Sequence, residues 1–173
     1  MIKNNNNNNN HTYKKEQFLI EEKVVELLKN KQYKISFAES MTGGLLASTI
    51  ISVKGASDVI EQSFIVYSNK AKQNTLKVPY SIIKEFGVVS EQTAESMATN
   101  LHKITKSEVC VSVTGFAEPA PGKAACKVCA AYFIKNKNNK PIVKTYMIPN
   151  SERNKVRKTA TIQILYDLAL LLK

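Results

Sequence analysis

The chain has 173 residues, 43% of them hydrophobic, with a formal net charge of +11. That length suits one domain able to bury roughly 70% of its unfolded surface, so neither disulfides nor a metal is needed to hold a core. No apolar run approaches the roughly 18–20 residues that cross a bilayer and the N-terminus has no apolar signal core, so a soluble cytoplasmic protein with no membrane partner is expected.

The first residues carry an Asn run, Asn4 to Asn10. Residues 1–12 have almost nothing to bury and are expected to form a disordered tail, followed by one domain over 13–173. Phe18, Leu19, Val24, Val25, Leu27 and Leu28 give a helical stripe over about Lys14 to Lys31. Tyr33 to Ala38 reads as a strand. Glu39-Ser40-Met41-Thr42-Gly43-Gly44 then turns into a second helix marked by Leu45, Leu46, Ile50 and Ile51. Lys54-Gly55-Ala56-Ser57 breaks that helix, and Ile60 to Tyr67 is a strand. Ser68-Asn69 caps a short helix from Lys70 to Leu76, and Pro79 to Phe86 makes another. Ser90 caps a helix to about Lys103. Val109 to Thr114 is a strand ending at Gly115, followed by a loop with Pro119, Pro121 and Gly122. Lys127 to Ile134 and Ile142 to Ile148 form a hairpin, and Ser151 caps a long amphipathic helix to Leu172. Strands interspersed with helices, plus one late hairpin, imply a mixed sheet covered by helices.

Basic residues outnumber acidic ones by 25 to 14. A basic surface suits nucleic acid, but these lysines are scattered, and no arginine-rich block or aromatic–basic interleaving is present. Abundant Lys and Asn together match a bias toward A-rich codons. No nucleic-acid partner is expected, although a scattered positive field favours a phosphorylated small substrate. The cysteines are Cys110, Cys126 and Cys129, an odd count that points to a reduced compartment. Cys126 and Cys129 have C-x-x-C spacing. They lie on an expected strand, where residues three apart face opposite sides, and only Cys110, His11 and His102 remain as further ligands. No metal is expected.

Four constellations bear chemistry. In the first, Ser40 follows a strand and precedes a helix N-terminus whose unpaired N–H groups suit an oxyanion or a phosphate, with Gly43 and Gly44 allowing close approach. Read alone, Ser40 or Thr42 is more simply the helix cap. In the second, Tyr67 closes a strand and Lys72 follows on the next helix. No histidine sits in a motif suggesting a base, whereas a lysine serves as one when its pKa is lowered; a solvated Lys72 and a half-buried Tyr67 are the plainer local alternative. The third is Thr114-Gly115-Phe116-Ala117, again a hydroxyl and a glycine at a strand end. Gly115 and Gly122 are too far apart for a P-loop. The fourth is Arg153, with Arg157 one turn on, where a guanidinium grips a phosphate or simply opens a surface helix.

In this order the pieces resemble the CinA C-terminal-domain family of nicotinamide mononucleotide deamidases, over about residues 15–172. The E-S-x-T-G-G signature stands as Glu39 to Gly44, Y-S-N-x-A-K as Tyr67 to Lys72, G-x-V-S-E as Gly87 to Glu91, and T-G-x-A as Thr114 to Ala117. The resemblance implies a single-domain α/β protein, a three-layer α/β/α sandwich with a mixed sheet, and a homo-oligomer. It implies hydrolysis of nicotinamide mononucleotide, a pyridine mononucleotide, to nicotinate mononucleotide and ammonia, with no cofactor. Ser40 takes the place of the nucleophile, with Tyr67 and Lys72 as its catalytic partners. Thr42, Gly43, Gly44, Asn69, Thr114, Gly115 and Arg153 are the expected oxyanion and substrate-binding residues. The family's loop of the type T-G-I-A-G-P-x-G-G becomes Thr114 to Gly122, with Glu118 in place of a glycine. Cys126 to Cys129 replace K-P-V-G, and Ser151-Glu152-Arg153 replace G-D-R. The altered loop leaves a second reading, a catalytically impaired nucleotide-binding or scaffold protein on the same fold.

Overall fold

A computed structural model describes residues 9–119, 123–137 and 140–173. The elements in chain order are α1 (Asn9–Lys31), β1 (Ile35–Glu39), α2 (Leu45–Ile51), a 3-10 turn (Ala56–Asp58), β2 (Ile60–Ile65), α3 (Asn69–Leu76) and α4 (Tyr80–Phe86). They continue with α5 (Glu91–Thr105), β3 (Val109–Gly115), β4 (Ala125–Ile134), β5 (Ile142–Pro149) and α6 (Arg153–Leu172). Residues 1–8 of the expected tail, 120–122 of the loop and 138–139 of the hairpin turn lie outside the described residues. Asn9 to Thr12, expected in the tail, belong to α1.

The strands form one sheet in the order β2-β1-β3-β4-β5. β1 runs parallel to both β2 and β3, and β4 and β5 each lie antiparallel to the strand before. This is the mixed sheet expected from the sequence, with helices on both faces. Side-chain alternation sorts the core. Ile35 and Phe37 of β1 and Val109, Val111 and Val113 of β3 pack with α1, α2 and α6. Ala38 and Cys110 point the other way, toward α3, α4 and α5. Every residue of β1 is buried, as a central parallel strand covered on both faces must be. The same alternation puts Cys126 into the α6-side core and Cys129 into the α5-side cluster. Among the described residues no helix is long and apolar enough to cross a membrane.

Two expected caps form: Ser68 Oγ accepts the Ala71 N–H at 3.0 Å, and Ser90 Oγ accepts the Thr93 N–H at 3.1 Å. β1 spans Ile35–Glu39 rather than Tyr33 to Ala38, and β4 starts at Ala125 rather than Lys127; two further departures have a local cause. β2 stops at Ile65 rather than Tyr67, because its partner β1 ends at Glu39 and the Glu39 carbonyl takes the Val66 N–H, at 2.8 Å, as the last rung. Ser151 does not cap α6; the N-cap is Glu152, which makes no side-chain cap.

The chain leaves β1 toward β2 on one side and reaches β3 on the other. The carboxyl ends of β1 and β3 therefore flank a topological switch point, where open α/β sheets form their ligand crevice.

Candidate active site

One step of strand alternation sends adjacent residues at the end of β1 to opposite layers. Glu39 faces α2. Its Oε2 accepts the N–H groups of Gly44 at 2.9 Å and Leu46 at 3.1 Å, and its Oε1 accepts that of Ala47 at 2.9 Å. A fully buried carboxylate thus satisfies the open amides of the helix N-terminus, where the helix dipole favours negative charge. This corrects two expectations. Neither Ser40 nor Thr42 caps α2, and the Gly44 amide is already donated to Glu39. The Gly43 amide is also engaged, donating to the Ser40 carbonyl at 3.1 Å. The role of both glycines is conformational: their φ values of 60° and 97° lie in the left-handed region that side-chain-bearing residues avoid. Among the described residues, the Met41 and Thr42 amides make no hydrogen bond. Met41 lines the cleft, whereas Thr42 is fully buried.

Ser40 faces α3. Its Oγ is 2.9 Å from Lys72 Nζ, and Nζ also donates to the carbonyls of Val66 at 2.9 Å and Tyr67 at 3.2 Å. Lys72 reaches this point because Ser68 caps α3 only a short way past the end of β2, placing Lys72 one turn into the helix with its side chain directed inward. Lys72 has no exposed surface, and burial lowers its pKa to about 8. Carbonyl oxygens only accept hydrogen bonds. A neutral Lys72 amine must therefore point its two N–H bonds at Val66 and Tyr67, and its lone pair falls on the Ser40 hydroxyl.

Ser40 and Lys72 sit at the floor of an open cleft of about 690 Å³, which Tyr67, Asn69, Thr114, Gly115, Glu118 and Arg153 also line. That volume suits a small-molecule ligand. Thr114 is nearly inaccessible and its hydroxyl donates to the Val88 carbonyl at 2.8 Å, tying β3 to the segment before α5. A Cβ on Gly115 would meet Val128 Cγ2 at 2.9 Å, Val128 Cα at 3.0 Å and the Lys127 carbonyl oxygen at 3.1 Å, so any larger residue would push β4 away. Tyr67 and Lys72 were expected to act together. They meet through the Tyr67 main-chain carbonyl, while the exposed phenol accepts a hydrogen bond from Arg153 Nη2 at 3.0 Å. Arg153 Nη1 bonds Glu118 Oε1 at 3.1 Å.

The sequence model of the CinA C-terminal domain matches residues 17–172. The chain belongs to the CinA C-terminal-domain family. It is 37% identical over 144 residues to a CinA-like protein of Petrotoga mobilis, covering 82% of this chain and 35% of that protein. It is 36% identical over 155 residues to one of Pseudothermotoga lettingae, covering 89% of this chain and 37% of that protein. The chain thus spans about a third of the length of the curated relatives it matches. Among solved structures it is similar to the competence or damage-inducible protein from Enterobacter asburiae, with TM-score 0.83, 25% identity, and coverage of 91% of this chain and 98% of that one. The competence/damage inducible protein CihA from Agrobacterium tumefaciens matches with TM-score 0.80 and 27% identity, over 91% of this chain and 96% of that one.

Within this CinA C-terminal domain, two residues at the site have roles that the sequence did not disclose. Glu39 reads as the start of the turn after a strand ending at Ala38, whereas it closes β1 and the fold turns its carboxylate onto α2. Arg157, one turn beyond Arg153, reads as part of the same phosphate grip. Instead its Nε and Nη2 donate to the Met41 and Thr42 carbonyls at 2.9 and 2.6 Å, and its Nη1 donates to Asn154. Across a trans peptide the N–H opposes the carbonyl. Holding the Met41 carbonyl toward α6 therefore turns the Thr42 N–H the opposite way. No local pattern signals this contact, since its acceptors are main-chain atoms more than a hundred positions away in the sequence.

Proposed function

We propose that this CinA C-terminal domain is an amidohydrolase that converts nicotinamide mononucleotide to nicotinate mononucleotide and ammonia. The observation that carries the reading is the 2.9 Å contact between Ser40 Oγ and a buried Lys72 Nζ whose pKa is drawn down to about 8. A hydroxyl beside an amine that is partly neutral at physiological pH forms a nucleophile–base pair without histidine.

Ser40 Oγ attacks the carboxamide carbon while its proton passes to Lys72. The Met41 amide, at the cleft wall beside Ser40, receives the oxyanion, a stabilisation worth about 3–4 kcal/mol per donor in comparable enzymes. Lys72 returns the proton to the departing nitrogen, the C–N bond breaks and ammonia leaves. Water then attacks the Ser40 ester, with Lys72 taking its proton and passing one back to Ser40 Oγ as the carboxylic acid forms and ionises. Val66 and Tyr67 hold the amine in line throughout by accepting its remaining N–H bonds. Arg153, Tyr67 and Asn69 line the cleft, and in this reading they take the nucleotide portion of the substrate.

The test is ammonia release from nicotinamide mononucleotide by wild type, Ser40→Ala and Lys72→Ala. Turnover in the wild type that both substitutions abolish is the expected result, and wild-type-like turnover in either variant overturns the assignment. Saturable nucleotide binding by the wild type with no ammonia released would instead favour a non-catalytic nucleotide-binding protein on this fold.

A further inference from the structure

The outer end of the cleft is electrically closed on itself. Among the described residues, the only cationic side chains lining the cleft are Lys72 and Arg153. Lys72 lies on the floor against Ser40. Arg153 is the sole guanidinium at the mouth, and Glu118 and the Tyr67 hydroxyl already engage both of its terminal nitrogens. Glu118 Oε1 and Arg153 Nη1 are 3.1 Å apart, with side chains 70% and 47% exposed. The two charges cancel where a substrate phosphate would otherwise meet an open arginine fork.

We propose that Glu118 is a specificity-determining residue, an internal competitor for Arg153 that weakens the pocket's preference for phosphorylated over non-phosphorylated amide substrates. The proposal rests on the amidase reading for its choice of substrates. A carboxylate and a phosphate present the same kind of oxygen edge to a guanidinium, so the two compete for one fork. An exposed ion pair is weak enough to be exchanged for a dianion. The dianion, however, must both displace Glu118 and sit beside the carboxylate it displaced, a like-charge contact that a nucleoside without phosphate never meets. Glu118 therefore acts on binding of the phosphate-bearing form and leaves the Ser40–Lys72 chemistry alone.

The test compares Glu118→Gln with wild type on nicotinamide mononucleotide and on nicotinamide riboside, the same molecule without its phosphate. Gln keeps the size of the side chain and removes its charge, at an exposed position where folding is insensitive. The ratio of kcat/KM for nucleotide over nucleoside should rise by about tenfold, the scale of one unit charge removed near a dianion in solvent. The gain should come from KM for the nucleotide, with kcat nearly constant. In an Arg153→Ala background the same substitution should raise the ratio less, because only the like-charge contact with the phosphate is then relieved. A ratio unmoved by Glu118→Gln overturns the proposal, and so does an equal rise with Arg153 already removed. Calorimetric titration with inorganic phosphate needs no turnover. Tighter binding by Glu118→Gln supports the competitor role, whereas equal affinity, or no binding by either protein, overturns it. If neither compound yields ammonia with any variant, the amidase reading fails, and the phosphate titration still decides the role of Glu118.

Discussion

The floor and the mouth of the cleft are built on opposite physical terms. At the floor, Ser40 and Lys72 are buried, and Lys72 Nζ has three partners within 3.2 Å, two of them main-chain carbonyls. Main-chain atoms at a strand end do not change rotamer, so the amine has one place to be, and burial rather than a neighbouring charge lowers its pKa. At the mouth, Tyr67, Glu118 and Arg153 are exposed and hold one another through side chains alone. Such contacts exchange with solvent and ligand. The difference teaches that, under the proposed amidase reading, chemistry and selection are separable: the Ser40–Lys72 geometry is fixed by the fold, and the choice of substrate would rest with a few replaceable surface groups.

The hardest blow to this contrast falls on the floor. Lys72→Met and Ser40→Ala should each lower turnover by about ten-thousandfold or more while nucleotide affinity in the Ser40 variant stays near wild type. Single-turnover ammonia assays and equilibrium titration read the two quantities, and a loss shared equally between them would mean the floor is not a separate catalytic unit.

Next in size is the support beneath Ser40. Glu39→Gln replaces one carboxylate oxygen with an N–H donor facing the helix amides that Glu39 now satisfies. We expect a loss of about 2–3 kcal/mol and a melting temperature lower by about 5–10 °C. An unchanged melting curve would show that α2 does not depend on this carboxylate.

The pH profile carries a smaller, tenfold effect. In the proposed mechanism Lys72 acts as a neutral base and burial brings its pKa to about 8, so kcat/KM should rise with pH and level off above about pH 9, with about a tenth of the plateau left at pH 7. Linkage has the same sign. Between about pH 8 and 10.5 the unfolded chain holds more protons on this lysine than the folded one, so its burial penalty is complete below pH 8 and fades as pH rises toward 10.5. A flat profile from pH 7 to 9 would remove Lys72 from the role of base.

The smallest effect belongs to the mouth. Because Glu118 already occupies Arg153, Arg153→Ala alone should raise KM for the mononucleotide only about two- to threefold and leave kcat unchanged. A hundredfold change there would make the mouth as indispensable as the floor and dissolve the contrast.

Local pattern decided a good part of this architecture. The alternation of Val109 to Thr114, the punctuation by Gly55 and Gly87, and the hydroxyl caps Ser68 and Ser90 act within a few residues, so the elements they define match those observed. The motifs also placed Ser40 just past a strand end and Lys72 on the short helix after the next strand, because strand ends and cap positions are written in the adjacent residues. What Glu39, Arg157 and Glu118 do was not legible. Each makes its decisive contact through an atom whose position depends on packing: the α2 amides for Glu39, the Met41 and Thr42 carbonyls for Arg157, the head of α6 for Glu118. Sequence sets which residues have a hydroxyl, an amine or a charge, and at which element ends they sit. Only the closed tertiary structure determines which of those groups lose water and face each other, because desolvation and contact at about 3 Å are properties of the assembled layers rather than of any segment.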